Sequence, residues 1–290
     1  MTTITKEQKK LILSMQKNEV TEYYIYKNIA ARVKDKKNKN ILLKIAAQEK
    51  EHAQVWEKYT NIKVKPNRMK IAFYKLLNII FGFTFVVRLM ERGEDVAQEV
   101  YESLSESIPE ALTIKQEEDD HEDSLIESLS EERLKYIRAV VLGLNDALVE
   151  LTGALAGLSF ALTDNTIITL SGLITGIAAT LSMAASEYLS SKAEGNQNAL
   201  KSSIYTGTAY LVVVTILILP YILLNNAFHS LAIMLTSAMV IIFVFNYYMS
   251  VALNLSFKKR FTQMALISLG VATLSFFIGT ILRITLGVDI

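Results

Sequence analysis

Cysteine is absent from the 290 residues of this chain, and its absence removes several classes of protein at once. No disulfide scaffold can form, and neither thiolate catalysis nor an iron–sulfur or zinc–thiolate site has its ligands. The chain also lacks an excess of either charge, because 30 Lys and Arg stand against 29 Asp and Glu. A dedicated nucleic-acid binder needs a basic excess to neutralise phosphates, so no nucleic-acid partner is expected.

Charge is scarce in the second half of the chain. Residues 1–135 carry 46 of the 59 charged side chains, whereas the longer stretch 136–290 carries only 13. That second stretch has apolar runs as long as the ~20 residues that a helix needs to cross a bilayer. A single soluble globule is therefore excluded. The sequence predicts an all-α protein with two domains, residues 1–132 and 133–290.

Five membrane spans are predicted in the second domain, at residues 136–162, 166–190, 204–224, 231–253 and 261–286. Lys and Arg precede the first span and lie in the second and fourth connections, and they are absent from the first and third connections. Positive loops stay on the cytoplasmic side. The chain also begins with a polar stretch rather than a signal peptide. We therefore expect a cytoplasmic N-terminus and an outside C-terminus, in the plasma membrane if the protein is prokaryotic.

The first domain has a helical pattern with an unusual feature. Apolar residues recur at three- and four-residue steps in four segments, which predicts a four-helix bundle. Carboxylates lie within these apolar stripes, although a buried carboxylate is costly unless it is paired or bound to a cation. The four carboxylates are Glu19, Glu49, Glu94 and Glu118.

Two of the three histidines close Glu-x-x-His motifs, Glu49 with His52 and Glu118 with His121. This spacing places the carboxylate and the imidazole on one helical face, where they can bind one metal together. Two such helices and two helices with one Glu each match the ligand arrangement of di-iron and di-manganese bundles. Oxygen and imidazole ligands suit Fe²⁺ or Mn²⁺. The alternative, surface Glu–Lys pairs with incidental histidines, leaves the carboxylates in the apolar stripes unexplained.

At these residues the first domain resembles the rubrerythrin and ferritin-like family, over about residues 5–132. The resemblance implies a di-iron site and leaves ferroxidase activity open. Complete rubrerythrins also carry a Cys-rich rubredoxin-like segment, which this chain lacks, so their peroxidase electron-transfer chain is not expected. The implied ligands are Glu19, Glu49, His52, Glu94, Glu118 and His121, with Glu22 and Glu91 as candidate additional ligands.

An apolar segment, residues 71–87, separates the two halves of the bundle. A membrane crossing there would put the two halves of the metal site on opposite sides of the bilayer. The segment is interrupted by Lys75 and Asn78 and flanked by basic residues such as Arg68 and Arg88. We therefore predict that residues 66–88 form an interfacial amphipathic helix, lying on lipid of the inner leaflet as the crossover of the bundle.

Charged residues inside the predicted spans also need a reason. A charge at mid-bilayer costs at least ~2.5–3.5 kcal/mol, yet Asp146 and Glu150 lie in the first span. They share a helical face with three glycines, so we expect this face to point into the protein. A similar stripe in the second span ends with Met183 and Glu187. Carboxylates beside a thioether could hold a transition-metal ion weakly, and the same carboxylates could bind protons, which would permit metal–proton antiport. The alternative is that these residues serve only to pack the helices.

The residues around these positions resemble the vacuolar iron transporter family. The carrying segments are Gly-Leu-Asn-Asp-Ala-Leu-Val-Glu at 143–150 and Ser-Met-Ala-Ala-Ser-Glu-Tyr-Leu at 182–189, within a likeness that covers about residues 133–290. The resemblance implies export of Fe²⁺, or of Mn²⁺, in exchange for protons through a homodimer, with Asp146 and Met183 at transport positions. The chain departs from plant-type members at Thr175, where they carry an intramembrane Glu, a role that Glu150 could fill. It also lacks their metal-collecting insertion after the second span.

Fusion of the two modules resembles the membrane-bound ferritins, which export iron. We therefore predict an iron efflux transporter, a metal–proton antiporter whose cytoplasmic di-iron domain captures or oxidises iron. An alternative from another class is a membrane-anchored di-iron oxidase or peroxide-scavenging enzyme. A mere anchor has no need of Asp146 and Glu150, which favours transport.

Overall fold

The computed structural model describes residues 5–105, 107–128, 136–162 and 164–286, without the side chains of residues 93–100, 102–103, 122–128 and 286. The regular structure of these described ranges is helical throughout, which confirms the predicted all-α class. The chain divides into two compact units, Met1–Glu131 and Glu132–Ile290, called the first unit and the second unit below.

The described helices of the first unit begin and end at recognisable local signals. Thr5 and Gln8 form a capping box at the start of α1, and the Asp35 side chain caps α2. Asn61, in the left-handed region at φ 53°, ends α2. The five helices are α1 (Lys6–Ala30), α2 (Lys36–Thr60), α3 (Arg68–Phe81), α4 (Phe83–Ser105) and α5 (Glu110–Ser128).

Four of these helices share one hydrophobic core. Ile12 of α1, Trp56 of α2, Tyr101 of α4 and Ile114 of α5 belong to the same buried cluster. The rings of Trp56 and Tyr101 lie nearly parallel, with their centroids 6.0 Å apart. The apolar stripes predicted from the sequence therefore converge on one centre, with α3 outside it.

The crossover helix ends earlier than the predicted residue 88. Gly82 has φ 89° and ψ 168°, a conformation open mainly to glycine, and it separates α3 from α4. Beyond it, Phe85, Val86 and Val87 are buried in α4, whereas α3 has no buried residue. The apolar segment is thus divided between an exposed helix and the start of a core helix.

Within the described part of the second unit, five helices are long and apolar enough to cross a membrane, as judged by length and composition. This number agrees with the five predicted spans. The first helix keeps within its predicted span, whereas each of the other four continues into a polar connection, because backbone hydrogen bonding does not stop at the edge of the hydrocarbon. The helices are α6 (Ile137–Ala161), α7 (Asn165–Ala193), α8 (Ala199–Leu223), α9 (Ala227–Ala252) and α10 (Phe257–Leu286).

Helix α6 is the centre of the second unit and packs against each of the other four helices. Small residues allow the closest of these contacts, as the sequence predicted. A Cβ on Gly143 would lie 2.5 Å from the carbonyl oxygen of Thr206 in α8, and a Cβ on Gly279 of α10 would meet the carbonyl oxygen of Gly157. By contrast, α7 presents exposed apolar side chains such as Ile174 and Leu181.

Candidate metal centre and membrane cavity

Four of the six predicted iron ligands lie together in the first unit. Glu19 of α1, Glu49 and His52 of α2, and Glu118 of α5 are all buried. One potential ligand atom from each of them lies within 4.8 Å of the others. The three-residue step from Glu49 to His52 puts both on the inner face of α2, as the helical period requires.

The histidines lie against these carboxylates. His52 Nδ1 is 2.9 Å from Glu118 Oε1 and 3.7 Å from Glu19 Oε2. His121 Nδ1 is 3.3 Å from Glu118 Oε2 and 3.8 Å from Glu49 Oε1, so a fifth predicted ligand borders the same cluster. The two imidazole rings are stacked, with centroids 6.0 Å apart. Both Glu-x-x-His motifs therefore face one centre.

Several buried polar atoms of this cluster have no hydrogen-bond partner among the described residues: Glu19 Oε2, both carboxylate oxygens of Glu49, and His121 Nε2. Leaving such atoms buried and unpaired is costly. Carboxylate oxygens and imidazole nitrogens form the donor set that Fe²⁺ and Mn²⁺ accept. The cluster could therefore hold a metal ion, which would satisfy the unpaired carboxylate oxygens of Glu19 and Glu49.

The electrostatics of the cluster reflect crowded carboxylates. Burial raises the pKa of Glu49 well above its usual value, and the charges of Glu118 and Glu19 raise it further. Burial would also raise the pKa of Glu118, but hydrogen bonds from His121 and His52 outweigh it and lower this pKa to about 2. Burial would lower the pKa of His52, but hydrogen bonds to Glu118 and Glu19 raise it to about 11. The opposite shifts of Glu118 and His52 indicate a buried ion pair between these two side chains.

Aromatic donors orient the carboxylates of the cluster. The Tyr101 hydroxyl donates to Glu19 Oε1 at 3.0 Å, and Trp56 Nε1 donates to the same oxygen at 3.3 Å. This leaves Glu19 Oε2 directed at the other ligands. Tyr26 donates in a similar way to Glu91 Oε1, at 3.2 Å. Each tyrosine reaches across from one half of the bundle to the other, a pairing that residue spacing alone does not reveal.

The remaining predicted ligands have other surroundings. Glu22 accepts a hydrogen bond from Lys70 Nζ at 3.0 Å, which ties α1 to α3. Burial raises the pKa of Glu22 to about 7, against the opposing attraction of Lys70. Glu91 accepts the bond from Tyr26. The side chain of Glu94 lies outside the described residues, so its place in the site stays a prediction.

Glu117 was not among the predicted site residues. Its Oε2 lies 2.7 Å from His52 Nε2, on the side of the ring opposite to the cluster. The Glu117 side chain is 42% exposed, whereas His52 is buried. In the sequence, Glu117 is marked only by its position directly before Glu118. It lies in an acidic stretch, so the sequence does not distinguish it from its acidic neighbours.

The second unit contains a cavity of about 720 Å³ at the end where α6 begins and α7 ends. Asp146 and Glu187 line it, together with Asn145, Ser202 and Met264. Asp146 is exposed in the single chain, in contrast to the expectation that its face would be packed. The reason is that the space beside this part of α6 is the cavity, whereas Gly153 and Gly157, farther along the same helix, contact α10.

The four predicted transport residues differ in their contacts. Glu150, which is also exposed, accepts a hydrogen bond from the Tyr210 hydroxyl of α8 at 2.6 Å. Glu187 accepts hydrogen bonds from the hydroxyls of Ser191, at 2.8 Å, and Ser202. Met183 is partly buried and packs against the core of the unit. Neutral hydroxyl groups therefore hold two of the intramembrane carboxylates.

Residues 137–199 match the sequence profile of the VIT family. This segment covers α6 and α7 and contains Asp146, Glu150, Met183 and Glu187. No curated protein matches the chain. The match and the five apolar helices support a VIT-type membrane domain in an integral membrane protein, and the family indicates membrane transport of a metal ion.

Proposed function

We propose that this protein exports Fe²⁺ from the cytoplasm in exchange for protons, with Mn²⁺ as the alternative cargo. The observation that carries this proposal is the placement of Asp146 and Glu187 on a cavity within the membrane unit. Charged residues in a span are expensive and mark ion pathways. The VIT-family match covers the two helices that carry these carboxylates.

The cavity has the chemistry of a transient metal site. Asp146, Glu187 and the amide of Asn145 offer oxygen ligands, and Met264 lies among them. The carboxylates can take up protons when the cation leaves, which couples metal movement to proton movement. The Tyr210 hydroxyl orients Glu150, which lies one helical turn beyond Asp146 on α6.

The active form is proposed to be a homodimer. Asp146 and Glu150 are exposed on a single chain, in a helix that crosses the hydrocarbon region. Carboxylates in such helices face protein or a water-filled cavity rather than lipid. A second copy of the chain would cover them, and a two-fold dimer is the most common symmetric assembly.

The first unit is proposed to be a cytoplasmic di-iron domain of the rubrerythrin and ferritin-like kind. It would capture iron and supply the membrane unit. Iron bound there would provide redox chemistry, and the chain's own contribution is a buried, oriented set of donors that excludes bulk water. The proposed ligands are Glu19, Glu49, His52, Glu94, Glu118 and His121.

Helix α3 is proposed to lie on anionic lipid at the inner surface of the membrane. Met69, Phe73 and Ile80 are 84%, 54% and 55% exposed, which is unusual for large apolar side chains. The same helix carries Arg68 and Lys75. Apolar side chains inserted at the headgroup level, with basic residues beside them, are typical of interfacial helices.

Transport by proteoliposomes tests the main proposal. Fe²⁺ uptake would be followed with a metal-quenched dye under an imposed proton gradient, for the native chain and for Asp146→Asn with Glu150→Gln. We expect uptake to fall by about tenfold or more, because loss of even an outer partner of a metal ligand costs about 10–100-fold in affinity. Asp164→Asn is the matched control, since Asp164 caps α7 outside the span and Asn caps as well. Unchanged uptake in the double variant would refute transport through this site.

A further inference from the structure

The two Glu-x-x-His motifs are preceded by different residues. Gln48 stands before Glu49 in α2, and Glu117 stands before Glu118 in α5. The motifs are otherwise equivalent in spacing and face the same centre. At the position before the motif, one half of the site therefore has an amide side chain and the other half has a carboxylate.

The carboxylate of this pair reaches across the bundle to the other motif. Glu117 Oε2 of α5 lies 2.7 Å from His52 Nε2 of α2. The opposite nitrogen, His52 Nδ1, lies 2.9 Å from Glu118 Oε1 inside the cluster. When Nε2–H donates to Glu117, the Nδ1 lone pair is left for a metal. Such an outer carboxylate fixes the tautomer of the ring and makes the imidazole a stronger ligand.

The other half of the site has no counterpart to this contact within the described part of the chain. His121 Nε2 and Gln48 Oε1 are both buried there without a hydrogen-bond partner. The equivalent contact across the bundle would join these two atoms. An amide oxygen can accept the N–H of His121, but a neutral acceptor binds it less strongly than a charged one.

We propose that Glu117 is a positioning residue that makes the two metal positions of the first unit unequal. The position that uses His52 binds its ion more tightly and fills first. The position that uses His121 binds more weakly, because Gln48, which stands where the other motif has Glu117, can offer only a neutral amide. This inference rests on the proposed di-metal site. It assigns different roles to two halves that the sequence motifs make look identical.

Metal titration of the full-length chain in detergent tests this inference. Co²⁺ is the probe, because its absorption spectrum depends on its ligands. The Co²⁺ that the Glu49→Gln variant still binds is attributed to other parts of the chain and is subtracted. The native chain should bind two ions in separate steps. Glu117→Gln should weaken the first step by about 10–100-fold and change the spectrum of that ion. Gln48→Glu should instead strengthen the second step.

Combining the two substitutions should restore two unequal steps, a rescue that a general loss of structure could not give. Glu51→Gln is the control, because Glu51 is exposed on α2, the helix that carries Gln48. This substitution should leave both binding steps unchanged. Two binding steps of equal affinity in the native chain would overturn the inference. So would a Glu117→Gln variant that binds Co²⁺ with the same two affinities as the native chain. In either case, loss of binding in Glu49→Gln would still support the di-metal site. If Glu49→Gln binds as much Co²⁺ as the native chain, the di-metal site and the inference both fail.

Discussion

Both units of this protein carry carboxylates where carboxylates are expensive, and the two units treat them differently. In the first unit, Glu19, Glu49 and Glu118 are buried next to one another and to His52 in the core of a bundle. In the second unit, Asp146 is exposed on the single chain and lines a cavity together with Glu187. Buried carboxylates favour long residence of a bound cation. A carboxylate that lines a cavity favours entry and release of the cation.

The partners of these carboxylates sharpen the difference. Imidazoles contact Glu118, and their hydrogen bonds lower the pKa of Glu118 and raise that of His52. In the second unit the partners of Glu150 and Glu187 are hydroxyl groups. Hydroxyl groups orient a carboxylate without neutralising it. This difference fits the proposed roles, capture of an ion in the first unit and passage of an ion in the second.

The largest expected effect is loss of the tightly held metal. Glu49→Gln with Glu118→Gln removes two of the proposed ligands, so the metal that survives dialysis should fall by two ions per chain, measured by elemental analysis against protein concentration. Glu51→Gln should keep the native content, because that side chain faces solvent. Retention of both ions by the double variant would remove the buried cluster as the metal centre.

A smaller effect should separate packing from chemistry in the second unit. A Cβ on Gly279 would lie 2.3 Å from the carbonyl oxygen of Gly157, so Gly279→Ala should destabilise the unit by about 1–3 kcal/mol through overpacking. Thermal unfolding in detergent measures this. Gly270→Ala is the matched control, since a Cβ there meets no described atom within 4 Å. Equal melting of the two variants would show that α6 and α10 are not in close contact.

Removal of one orienting hydrogen bond should have a modest effect. Tyr101→Phe deletes the donor to Glu19 Oε1 and should weaken metal binding by about 1 kcal/mol, or about fivefold. Tyr59→Phe serves as the control, because its hydroxyl donates to Glu110 instead. Calorimetric titration with Mn²⁺ compares the two. A larger loss in Tyr59→Phe would mean that the orientation of Glu19 is unimportant.

The smallest signal is expected from α3. The chain has no cysteine, so Phe73→Cys can carry the only spin label in the protein. In vesicles with anionic lipid, the label should be a few-fold more accessible to oxygen than to a water-soluble chromium complex. Lys44→Cys, exposed on α2, should show the reverse. If the two labels behave alike, α3 does not lie on lipid.

Periodicity predicted much of this structure. Residues such as Ile12, Glu49 and Trp56 fall on helical stripes because burial follows the 3.6-residue turn, and they are buried in the bundle. The same rule brought four predicted ligands together. The five spans were predictable because apolar runs of about 20 residues with few charges are typical of helices that cross a bilayer.

Other features depend on contacts that no local pattern contains. A glycine inside an apolar segment is compatible with a continuous helix, so the break at Gly82 required its backbone angles. Asp146 lies on a stripe with glycines, but only the position of α10 decides which part of that stripe borders the cavity. The contact of Glu117 with His52 joins residues 65 positions apart, and no spacing rule predicts it.

The most direct test of the division between the two units measures bound metal and Fe²⁺ transport on the same proteoliposomes. Asp146→Asn with Glu150→Gln should keep the tightly bound metal and lose transport. Glu49→Gln with Glu118→Gln should lose the bound metal and keep transport when Fe²⁺ is saturating. Transport at the native rate in the first variant, or its complete loss in the second, would contradict the account.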